Sequence, residues 1–113
     1  MTGFQKKNNL VMVKIGNKDY QIDPIAGMRM ISTYDDNAPG LLEEMEKSKY
    51  APEQVTKFMD FVVEIIDAVL GEDSCKNIFC GQVSYYDLVD LYVHIRDAVR
   101  DFNKEKSKEY ATV

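Results

Sequence analysis

The chain has 113 residues, 45% of them apolar and 29% charged, with a formal net charge of −5 and a pI near 4.8. That balance suits one globular domain with a core of its own and argues against wholesale disorder. The negative sign disfavours attraction to phosphate backbones and anionic membrane surfaces, so neither nucleic acid nor a membrane is expected as a partner.

Only two cysteines are present, Cys75 and Cys80. They are too few for a disulfide framework and lack the second pair that a structural zinc site needs. Reduced thiols, buried or half-buried, and a cytoplasmic location are the expectation. No segment reaches the roughly 20 apolar residues of a membrane span, and no signal-peptide core is expected in the opening residues.

In chain order, residues 1–9 read as a flexible polar lead, rich in lysine and asparagine. Leu10 to Ile15 alternates β-branched residues, Gly16-Asn17-Lys18-Asp19 supplies turn chemistry, and Tyr20-Gln21-Ile22 resumes the alternation, which predicts a short hairpin. Two strands are marginal alone, so the hairpin must lie on helices. Asp23-Pro24 is a helix start, an Asp cap followed by a proline at the first helical position. Ile25, Met28 and Ile31 keep helical spacing as far as Asp35 to Gly40, where Pro39 and Gly40 predict a break or kink; Leu41, Leu42 and Met45 then form a second short stripe.

The densest apolar segment runs from Pro52 to Leu70 and closes at Gly71. Val55, Phe58, Met59, Val62, Ile65, Ile66, Val69 and Leu70 share a face, opposite Glu53, Lys57, Asp60, Glu64 and Asp67. Phe61, Val63 and Ala68 widen the apolar arc beyond what one neighbouring helix covers. A connector from Glu72 to Phe79 ends at Gly81. Ser84-x-x-Asp87 then opens the longest helix, expected to reach Lys106. Its seam of Tyr85, Leu88, Tyr92, Ile95, Val99 and Phe102 is paired with the Pro52 to Leu70 helix, and residues 107–113 are expected to fray as a flexible tail. The fold expected over residues 10–106 is therefore a single mainly α (α+β) domain, a bundle of about four helices with a short N-terminal β-hairpin.

No phosphate loop, nucleophile elbow or paired acidic motif is present, so neither enzyme activity nor a cofactor is expected. His94, the single histidine, shares a helix face with Asp90 and Asp97, which could ligate a metal; a solvated polar stripe is the stronger reading. Six methionines and seven tyrosines could make a pliable surface, although most of them would fill the core. Surplus apolar flank on the two long helices points to self-association or partner capture. Tyr86, Val89 and Val93 form the first candidate patch and Phe61 and Val63 the second, each residue with a core alternative.

A hairpin on Ile15-Gly16-Asn17-Lys18-Asp19-Tyr20 is followed by a proline-started helix, an apolar helix ending at Gly71, a short helix ending at Gly81 and a long tyrosine-rich helix. In that order the chain resembles the small tail assembly chaperones of long-tailed bacteriophages and prophages. The resemblance implies a noncatalytic protein of the bacterial host cytosol. Such a protein coats the aggregation-prone tape measure protein until tail tube protein displaces it, and a homo-oligomer is expected. A small regulatory protein-binding domain or a structural tail component are the alternatives; an acidic face on the last helix weighs against a DNA reader.

Overall fold

A computed structural model describes residue 3 and residues 9–111. Most of the expected flexible lead, and the last two residues of the tail, lie outside the described residues. The order is β1 (Val11–Ile15), β2 (Lys18–Ile22), α1 (Pro24–Lys47), α2 (Pro52–Leu70), α3 (Ser74–Ile78) and α4 (Tyr85–Tyr110). This is the expected helical bundle with an N-terminal hairpin. Among the described residues no helix is long and apolar enough to cross a membrane.

The hairpin turns more tightly than its turn-rich sequence suggests. Ile15 pairs with Lys18, so only Gly16 and Asn17 form the loop, and positive φ is confined to Gly16 at 62°, as a II′ turn requires. Lys18 and Asp19 join the strand instead. Val11 pairs with Ile22, and these two with Val13 are buried. β1 packs on α4 and β2 on α2. Burying side chains of this size contributes about 1.5–3 kcal/mol each, which two lone strands lack. His94 adds a clip: its ring Nε2–H donates to the Lys14 carbonyl at 2.8 Å.

Asp23 caps α1, its carboxylate accepting from the Ile25 N–H at 2.8 Å ahead of Pro24. Of the break or kink expected at Pro39, the break does not occur, and one helix runs from Pro24 to Lys47. An interior proline disfavours a helix by about 3 kcal/mol, but Ala38 and Met45 on either side of it are buried with Met30 and Ile31 in one core. Ending the helix would withdraw one half from α2, and packing outweighs local preference. Pro39 itself is exposed.

Of the α2 face expected inside, Phe58, Val62, Ile65 and Ile66 are buried, and Val55, Met59, Val69 and Leu70 are half-buried against the core. The α4 seam is likewise buried at Leu88, Tyr92, Ile95 and Val99, joined by Leu91. This seam meets α1 as well as α2, a correction to the single pairing. Tyr92 stacks on Tyr34 of α1 at 4.1 Å, and Gly27 lies so close to Val99 that a Cβ there would fall 2.7 Å from Val99 Cγ2. α4 also continues past Lys106 to Tyr110. Charges that looked like a fraying tail sit three apart as Lys106–Glu109 and Glu105–Lys108 pairs, and the Lys106 ammonium lies 5.6 Å from the Phe102 ring centroid. Helical spacing of opposite charges supports the helix.

α3 is shorter than expected and is started from outside, Asp67 of α2 accepting from the Cys75 N–H at 2.9 Å. Gly81 N–H to Lys76 and Cys80 N–H to Asn77 close it in a Schellman arrangement. This places Cys80, not Gly81, at the left-handed C′ position (φ 53°). Cys75 is buried as expected, whereas Cys80 is exposed, because the turn projects it away from the core.

Burial, with Asp67 adding to it, pushes the Cys75 thiol from the usual 9.0 to about 12. Burial pushes the Tyr92 hydroxyl from 10.0 to about 12; Asp35 and Tyr34 raise it further while Arg96 and Arg100 oppose. Both folded values lie above the unfolded ones, so the stability these groups contribute is complete below pH 9.0 and is lost as pH rises toward about 12. Thermal melts followed by circular dichroism are expected to fall between about pH 9 and about pH 12, and less steeply in Cys75→Ala.

A candidate docking notch at the α1–α2 corner

Two stretches far apart in sequence, the α1–α2 corner with the first turn of α2 and the start of α4, meet at one end of the bundle. α1 closes in a Schellman motif, with Tyr50 N–H to the Met45 carbonyl (2.8 Å) and Lys49 N–H to that of Glu46 (3.0 Å). Lys49 takes the left-handed conformation this motif requires, at φ 56°. Tyr50 takes it too, at φ 61°, which the motif does not require. A left-handed residue with a Cβ is disfavoured by roughly 1–2 kcal/mol. Ser48 holds the corner in place: its hydroxyl donates to the Met45 carbonyl at 2.9 Å and accepts from the Ala51 N–H at 3.2 Å. Pro52 then starts α2 with its φ preset. The strained corner leaves Tyr50 63% exposed.

Ser84 caps α4, its hydroxyl accepting from the Asp87 N–H at 3.2 Å as the Ser-x-x-Asp pattern predicts. Tyr85 and Tyr86 are thereby fixed as the first two helical residues. With Tyr50 and Val55 they line a notch of about 250 Å³. Behind it runs a file of rings. Tyr86 meets Tyr85 edge-on at 5.2 Å, Tyr85 meets Phe58 at 5.9 Å, and Phe58 meets Tyr34 edge-on at 6.4 Å. Tyr34 stacks on Tyr92 and on Phe61. Each such pair contributes about 0.5–1.5 kcal/mol beyond burial, so the notch walls are braced by the core. Burial raises the Tyr85 pKa, and the neighbouring Tyr34, Tyr50 and Tyr86 hydroxyls raise it further.

The candidate residues fall into two groups. Tyr86 is 78% exposed, whereas Val89, Val93, Phe61 and Val63 are half-buried and pack against the core. Phe61 and Tyr86 stand at opposite ends of the ring file. Tyr50, Val55 and Tyr85 were not among the candidates, and Tyr50 has no local signal beyond the helix end at Lys47 to Lys49. Asp97 is engaged by the Arg96 guanidinium at 3.1 Å and His94 by Lys14. Among the described residues no group of three or more His, Cys, Asp or Glu side chains is placed to hold a metal ion. A second groove, about 240 Å³ between α1 and α2, has Ala26 and Ala68 among its lining residues but no backbone strain or aromatic wall.

Fold and notch together define a small helical bundle with an N-terminal hairpin and an aromatic corner open to solvent. Residues 28–112 match the model of a family of unknown function, DUF6673, and the chain belongs to that family. The matched stretch leaves out the hairpin and includes every notch residue. No curated protein and no solved structure matches the chain.

Proposed function

We propose that this protein is a noncatalytic tail assembly chaperone of a long-tailed bacteriophage or prophage. In the host cytosol it binds the tape measure protein and keeps it soluble until tail tube protein takes over. The observation that carries the reading is the strained, exposed Tyr50 beside Tyr85 and Tyr86 in an apolar notch. Residues held in sparsely populated backbone regions cluster where a surface is used, and tyrosine offers apolar area with a polar tip. Amphipathic helical stripes of the client would seat an anchor side chain there, as helices do in grooves. The protein acts as a homo-oligomer in this reading, which sedimentation across a concentration series checks.

Co-expression with the tape measure protein is the test. The client is expected in the soluble fraction with the unaltered chain and in the pellet with Tyr50→Gly. Glycine relieves the left-handed strain but adds unfolded-chain entropy, so Tyr50→Gly is expected to hold stability within about 1 kcal/mol. A client equally soluble without this chain would refute the reading.

A further inference from the structure

The surroundings of the notch carry a surplus of negative charge, and we propose that it is built for a basic amphipathic helix. An apolar anchor enters between Tyr50, Val55, Tyr85 and Tyr86, while flanking lysine or arginine side chains lie over tyrosine faces and pair with carboxylates at the rim. This deepens the chaperone reading by naming the chemistry of the client segment. Lys47 is held by Glu43 at 2.9 Å, which leaves five exposed carboxylates near this corner (Glu44, Glu46, Glu53, Asp87 and Asp90) against Lys49 and Lys57. The opposite end, where α4 finishes, has no such imbalance: Lys104, Lys106 and Lys108 alternate with Glu105 and Glu109. A partner approaching the notch thus meets a negative field, which favours a cation-bearing segment.

The tyrosines add to this preference. Aromatic faces attract ammonium and guanidinium groups, and the protein uses that attraction elsewhere. Lys18 lies 4.8 Å from the centroid of Tyr20, and Lys106 sits over Phe102. Among the described residues no cation lies over Tyr50, Tyr85 or Tyr86 in the same way. The exposed rings of Tyr50 and Tyr86 are left to a cation from outside, and the notch volume suits one large aliphatic or aromatic side chain beside it.

The test uses the full chain and two synthetic peptides: leucine and lysine at helical spacing, and its twin with glutamate in place of every lysine. In fluorescence titrations the lysine peptide is expected to bind at least about tenfold more tightly than its twin. Tyr50→Ala combined with Tyr86→Ala, which changes no charge, is expected to weaken it by about tenfold. Glu53→Gln combined with Asp90→Asn should weaken it by about threefold, a loss that added salt removes. Equal affinity for the twins, or tyrosine variants that bind as before, overturns the proposal. So does a dimer that Tyr86→Ala dissolves and neither peptide displaces, which would make a second copy the occupant. Selective peptide binding alongside a client that still precipitates upholds the notch chemistry and removes the chaperone role alone.

Discussion

Phe58→Ala is expected to destabilise the fold by about 3–5 kcal/mol, a large part of what a domain of this size has. The side chain is 1% exposed at the middle of α2 and touches rings on two other helices, Tyr34 on α1 and Tyr85 on α4. Truncation leaves a cavity that three helices cannot close together, because each is already fixed by other buried contacts. It also removes the ring behind Tyr85, so the notch should loosen before the bundle unfolds. Urea unfolding followed by far-ultraviolet circular dichroism measures the first effect. The near-ultraviolet tyrosine signal, lost at lower urea than the helical signal, reports the second. A loss below about 1 kcal/mol would mean that the three helices do not converge at this ring.

Gly27→Ala tests the closest helix crossing and is expected to change sign with its neighbour. In the native background the new Cβ lies 2.7 Å from Val99 Cγ2 and 3.0 Å from Cγ1, both on a fully buried side chain. Overpacking of this kind destabilises by roughly 1–3 kcal/mol, which exceeds the roughly 1 kcal/mol that alanine gains over glycine in a helix. Gly27→Val, with its extra methyl groups, should reach the upper part of that range. In a Val99→Ala background the clash disappears and the helical preference remains, so Gly27→Ala should then stabilise. A double-mutant cycle in urea isolates the coupling. Additive effects of the two substitutions would mean that α1 and α4 do not meet where Gly27 and Val99 are placed.

Local chemistry in the sequence determined the elements. Alternation over Val11 to Ile15 made a strand, helical spacing over Pro52 to Leu70 and Tyr85 to Phe102 made two helices, and Asp23 and Ser84 capped where their side chains predicted. These signals act within a few residues, so one chain suffices to read them. Tertiary structure alone decided the rest. Burial of Ala38 and Met45 carried α1 through Pro39, and the core took up one side of Val89, Val93, Phe61 and Val63. The notch required two distant stretches to meet, Tyr50 with Val55 and Tyr85 with Tyr86. A left-handed tyrosine is not what its own side chain favours: the corner that Ser48 ties together holds it there, and only the packing of the helices determines where its ring ends up.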